Sequence, residues 1–93
     1  MRWSVARDFT KDPHAVMDFQ INWVTWLVTD TIATSTWIVP DGLTKVSDSN
    51  TTTTTTIWLS GGTIGVLYEL TNRITTAAGR TDDRTIRITV KEK

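Results

Sequence analysis

Ninety-three residues make one domain with room for a core that needs no disulfide, and they exclude a multi-domain reading. Ten basic and ten acidic side chains cancel, and no run of like charge exceeds two residues, so the electrostatic footprint expected for nucleic acid or an anionic membrane is missing. There is no cysteine for a disulfide framework or a thiolate metal site, and no apolar block near Met1 that would serve as an export signal or membrane span.

Thr makes up roughly a fifth of the chain, and Val, Ile, Trp and Thr together outweigh Ala, Leu, Glu and Lys, a balance that predicts an all-β protein. In chain order, Trp3 and Val5 share a side and predict a short first strand over residues 2–6. Thr10 to His14 reads as a connector, because Pro13 cannot donate to a ladder and biases Asp12 towards extended geometry. Met17, Phe19, Ile21 and Trp23 alternate with Asp18, Gln20 and Asn22, which predicts a half-buried strand over 16–27 with a bulge where the alternation blurs at Val24 and Trp26. A third strand is expected over 31–39, ended by the turn Pro40-Asp41-Gly42, and a fourth over 43–47 before the loop Ser47–Asn50. The Thr51–Thr56 run has the low complexity of a disordered segment, yet Thr is β-branched and the run leads into Ile57-Trp58-Leu59. Its second half is therefore read as an outward-facing strand over 54–59.

The last third of the chain allows a register to be derived. Val66, Tyr68, Leu70 and Ile74 fall on one parity and Ile86, Ile88 and Val90 on one parity, so strands over 66–76 and 80–91 each have one apolar face. Opposed residues of an antiparallel pair share a face. A three-residue loop Ala77-Ala78-Gly79, closed by Thr76 against Arg80, meets that demand and puts Gly where φ is positive. Leu70 then opposes Ile86, Tyr68 opposes Ile88, and outside the ion pairs Glu69–Arg87 and Arg73–Asp83 are expected.

Seven short strands with turn signals every ten or so residues predict an immunoglobulin-like β-sandwich of antiparallel strands, with a five-stranded barrel as the alternative. The whole chain is one such domain, 1–14 being the N-terminal strand and connector and 91–93 a solvated tail. Tyr68 stands where a tyrosine corner bonds back across the preceding loop, and Trp37 lies on the third strand, where sandwiches bury one.

Catalytic machinery is not evident. His14 is the only histidine and sits in a loop, so a triad with a histidine base could draw only on it, and its polar neighbours read as those of a solvated side chain; no acid/base pair is visible. Asp82-Asp83 with Asp41 or Asp48 lack the spacing of a calcium loop, and Gly61-Gly62-Thr63-Ile64-Gly65 has the glycines of a phosphate loop without its Lys or helix. Asn50-Thr51-Thr52 satisfies the glycosylation triplet, incidentally in a chain without an export signal. No cofactor is expected. The anomaly is five Trp: Trp23 and Trp37 suit a core, whereas Trp3, Trp26 and Trp58 cannot all be inside a domain of this size. Trp58 shares its parity with Thr54, Thr56 and Ser60, so it is the best candidate for an exposed contact; the plain alternative is a Trp that covers the rim of the core.

Several strings resemble a family of small structural proteins of tailed bacteriophages. They are Lys11-Asp12-Pro13-x-Ala15-Val16-x-Asp18-Phe19, Trp23-x-x-Trp26-Leu27, Asp30-Thr31-Ile32, Trp37-x-Val39-Pro40, Trp58-Leu59-Ser60-Gly61-Gly62-Thr63 and Thr71-Asn72-Arg73-Ile74-Thr75-Thr76-Ala77-x-Gly79-Arg80. The resemblance covers about residues 11–90 and departs from the family in the unbroken Thr51–Thr56 run and in apolar Ile64 and Val66-Leu67. It implies an immunoglobulin-like, non-enzymatic virion protein, made in the bacterial cytoplasm. Its implied role is assembly, cement or decoration at the capsid or the head–tail region. Its partners would be other virion proteins, in many copies per particle, with self-association on the particle also admitted, and neither nucleic acid nor membrane. Trp26, Trp58, Arg73, Arg80 and Asp82 are the expected contact residues. The alternative is a carbohydrate-binding module that stacks host-surface sugars on exposed Trp.

Overall fold

A computed structural model describes residues 7–92, with the side chain of Arg7 left aside. The strand expected over 2–6 lies outside the described residues. Seven strands and one helical turn follow in order: β1 (Arg7–Lys11), β2 (Met17–Asn22), α1 (Val24–Leu27), β3 (Ile32–Ile38), β4 (Leu43–Asn50), β5 (Thr54–Gly61), β6 (Leu67–Thr76) and β7 (Thr81–Val90). They form two layers, a four-stranded sheet in the order β1-β7-β6-β3 and a three-stranded sheet in the order β2-β5-β4. The inward parities meet between the layers: Phe19, Ile21, Ile57 and Leu59 from one sheet face Trp37, Leu70, Ile74, Ile86 and Ile88 from the other. Burial of this apolar set is the main driving force for the fold.

The β6–β7 hairpin has the register derived from its parities. Tyr68 stands opposite Ile88, Leu70 opposite Ile86 and Arg73 opposite Asp83. At the loop the Thr76 N–H donates to the Arg80 carbonyl at 2.8 Å, and Gly79 takes φ +93°. Arg73 and Asp83 make the expected two-pronged pair at 2.8 and 2.9 Å. Arg87 differs. It stands opposite Glu69, but β1 flanks β7 on the other side, and the guanidinium pairs with Asp8 of that strand at 2.9 Å.

Three further boundaries depart from expectation. Thr10 and Lys11 belong to a strand rather than a connector, and β1 runs parallel to β7, so the four-stranded sheet is mixed and not wholly antiparallel. Lys11 ends β1 fully buried, its Nζ donating to the carbonyls of Gly61 at 2.7 Å and Asp12 at 2.9 Å, and burial pushes its pKa down against the opposing pull of Asp12. The strand expected to reach Leu27 stops at Asn22, whose Oδ1 accepts the Val24 N–H at 2.9 Å and turns the chain into α1. Trp23 and Leu27, four apart, then share one face of that turn and close the end of the core, 0% and 2% exposed. Ser47–Asn50 is strand rather than loop: β4 passes through a bulge between Lys45 and Ser47 and stays paired to Asn50↔Thr55.

The threonine run is also more central than expected. β5 lies between β2 and β4, and Thr55 is fully buried, so the strand is not simply outward-facing. Thr55 Oγ1 donates to Asn72 Oδ1 at 2.7 Å, Trp23 Nε1 donates to the same oxygen at 3.1 Å, and Asn72 Nδ2 donates to Ser35 Oγ at 2.9 Å and the Thr36 carbonyl at 3.1 Å. One amide thereby ties both sheets and α1 together within the core. The tyrosine corner is present: the Tyr68 hydroxyl accepts the Thr63 N–H at 2.9 Å.

Candidate interaction surface

Strand order and pleat distribute the expected contact residues over three surfaces. Trp58 stands on the outer face of the three-stranded sheet, opposite Asp18 of β2 and Ser47 of β4, because its neighbours Ile57 and Leu59 spend the other parity on the core. It is 41% exposed, against full burial of Ile57 and Leu59. The β4 bulge leaves Val46 beside this pairing, and Val16 continues the parity of Asp18. Both valines are exposed, whereas the residues directly opposite the indole, Asp18 and Ser47, are polar.

Trp26 and Arg80 meet at the end of the sandwich where α1 approaches the hairpin loop. The guanidinium carbon lies 4.3 Å from the centre of the Trp26 ring, and Trp26 packs edge-on against Trp23 at 5.5 Å. Arg80 also donates to Asp30 Oδ2 at 3.1 Å and to the Leu27 carbonyl at 3.1 Å. Asp30 organises this end, although no motif in the sequence singles it out for that role. Its Oδ1 accepts the N–H groups of Thr31 at 2.8 Å and Ala78 at 3.2 Å, which docks the hairpin loop onto the loop after α1.

The Thr76 hydroxyl contributes most to holding the Asp30 carboxyl down at about 2; the Thr31 N–H, Arg80 and the Ala78 N–H add to it, against partial desolvation. A carboxylate whose pKa is depressed on folding adds stability that is fully present above its ordinary value of 3.8 and is lost as the pH falls towards 2. Urea unfolding followed between pH 5 and pH 2 should therefore show a loss of stability in that window that Asp30→Asn reduces. An identical acid profile for the two proteins would refute it.

Arg73 lies on the outer face of the four-stranded sheet, engaged with Asp83, and is separate from both surfaces above. Asp82 stands opposite Ile74 and is only 7% exposed, so it is not part of an accessible surface, because its parity in β7 points inward. Among the described residues no three His, Cys, Asp or Glu side chains gather in a group that could hold a metal ion. What the arrangement offers is contact: one aromatic patch on a sheet face and one aromatic end whose cations are already engaged.

The sequence profile of a family described as "Podophage GP4 fiber-tail adaptor protein gp77" matches residues 11–89. No curated protein matches the chain. Among solved structures it is similar to one titled "Solution structure of the PKD domain from KIAA 1837 protein", with a TM-score of 0.55 and 15% identity over 95% of this chain and 81% of that one. That likeness shows the fold, an all-β sandwich of PKD and immunoglobulin-like type.

Proposed function

We propose that this chain, which belongs to the family of podophage GP4 fiber-tail adaptor protein gp77 and is therefore a phage tail component, links fibers to the tail by protein–protein contact, without catalysis. Membership puts it in the virion at the tail and lends no support to decoration of the capsid, so that part of the expectation is withdrawn. The observation that carries the reading further is Trp58. A large aromatic side chain stands out from a sheet face between Asp18 and Ser47, while its strand neighbours Ile57 and Leu59 are buried in the core. Contacts of this kind dominate protein interfaces, and repeated copies around a tail would add modest individual affinities by avidity.

We assign the Trp58 face to the fiber. Trp58→Ala should leave the fold intact, since the side chain is outside the core, and weaken binding of purified fibers by about 2 kcal/mol or more, on the order of thirtyfold. Fiber binding equal to wild type would remove Trp58 from the interface. Titration of the wild-type chain with host polysaccharide should leave its tryptophan fluorescence unchanged; sugar-dependent quenching that disappears in Trp58→Ala would favour the carbohydrate-binding alternative.

A further inference from the structure

Two of the described tryptophans already carry a guanidinium group, and the way one of them does so shows what the exposed Trp58 lacks. At the α1 end Arg80 stands over the Trp26 ring at 4.3 Å and donates to Asp30 Oδ2 at 3.1 Å, so an aromatic face and a carboxylate hold one cation between them. Arg84 stands over the Trp23 ring at 4.3 Å, and Trp37 is buried in the core. Trp58 is the exposed ring, and no cation among the described residues lies over it.

Asp18 supplies the other half of the same arrangement. It stands directly opposite Trp58 across the β2–β5 pair, on the outer face, at the side-chain spacing of about 5 Å usual for cross-strand neighbours. It is exposed, and among the described residues no group donates to its carboxylate. Ser47, on the other side of the indole, is neutral, and the next pair along the face is satisfied within itself, Gln20 Nε2 donating to Thr56 Oγ1 at 3.4 Å. The charge beside the indole is therefore negative, and ring and carboxylate both attract a cation. A guanidinium suits them better than an ammonium, because it stacks flat on indole while its N–H fork reaches a carboxylate. A second copy of this chain is a poor source. Arg73, Arg80, Arg84 and Arg87 are already engaged with Asp83, Asp30, the Asn22 carbonyl and Asp8, and each would have to give up that partner.

Resting on the assignment of this face to the fiber, we propose that Trp58 and Asp18 together take an arginine side chain of the fiber protein, stacked on the indole and paired with the carboxylate as Arg80 is with Trp26 and Asp30. Both residues are exposed, so their variants should keep the wild-type melting temperature. Asp18→Asn should weaken binding of purified fibers about fivefold or more, and Trp58→Leu, which keeps apolar bulk without the ring, should do the same. Fibers treated with phenylglyoxal, which caps guanidinium groups, should bind the wild-type chain more weakly by a similar factor and lose clearly less towards the double variant; fibers with acetylated lysines should bind as untreated ones do. Wild-type binding by Asp18→Asn would overturn the proposal, as would a loss that follows lysine acetylation instead, or a phenylglyoxal effect equal for the wild type and the double variant. If the wild-type chain binds no fiber, the fiber assignment falls and the arginine with it. If Trp58→Ala weakens fiber binding and Asp18→Asn does not, the fiber assignment stands and only the arginine falls.

Discussion

Asn72→Leu should destabilise the protein by about 4 kcal/mol, since it strands several buried groups that each cost on the order of 1–3 kcal/mol when left unpaired. The substitution keeps the number and branching of the side chain's heavy atoms and removes its polar ones. Trp23 Nε1 would retain only its longer contact with Thr55 Oγ1, at 3.3 Å, Thr55 would lose its buried acceptor, and the Ser35 hydroxyl and the Thr36 carbonyl, at the partly buried end of the network, would each lose a donor. Domains of this size carry only about 5–15 kcal/mol in total, so the variant should sit near the edge of folding. Urea denaturation followed by tryptophan fluorescence measures this directly. A loss below about 1 kcal/mol would mean that the Asn72 network contributes little net stability.

The second large effect is expected at Gly42, and Gly79 supplies its control. Both take positive φ, +103° and +93°. A Cβ at Gly79 meets nothing within 4 Å, whereas one at Gly42 falls 2.8 Å from the Tyr68 ring and 2.9 Å from its hydroxyl oxygen. Tyr68 cannot move aside without releasing the Thr63 N–H that its hydroxyl accepts. Gly79→Ala should therefore cost about 1 kcal/mol, the conformational price alone, and Gly42→Ala about 3 kcal/mol, once overpacking against the ring is added. In Tyr68→Phe the difference between the two alanine variants should shrink, because the ring is then free to shift. Equal losses at the two glycines would show that the ring does not enforce the turn.

The parity of side chains made the β6–β7 hairpin legible in advance. Its inner residues Tyr68, Leu70, Ile74, Ile86, Ile88 and Val90, its loop and the Arg73–Asp83 pair follow from period two and from one residue that tolerates positive φ, whereas Val66, read onto the same face, lies before β6 and is exposed. The same rule placed Ile57 and Leu59 inside and Trp58 outside. It did not reveal α1, because Trp23 and Leu27 also fit a strand pattern until Asn22 turns the chain. Nor did it reveal the buried role of Thr55, since a run of identical residues carries no alternation to read. Trp26 and Arg80 could each be picked out as unusual. That they stack on one another depends on α1 meeting the hairpin loop through Asp30, fifty residues from Arg80.

Local sequence by itself determined where most of the strands lie, which side chains of β2, β6 and β7 face the core, and how the final hairpin pairs, because those properties depend on neighbours one to four residues apart. Only the tertiary structure decided that β1 runs parallel to β7, that Arg87 takes Asp8 rather than Glu69, and that Asp82 is buried while Val28 stands out in a strained conformation. Those outcomes depend on which strand flanks which and on what the rest of the fold covers, and pairings across that distance are set by packing the whole core at once.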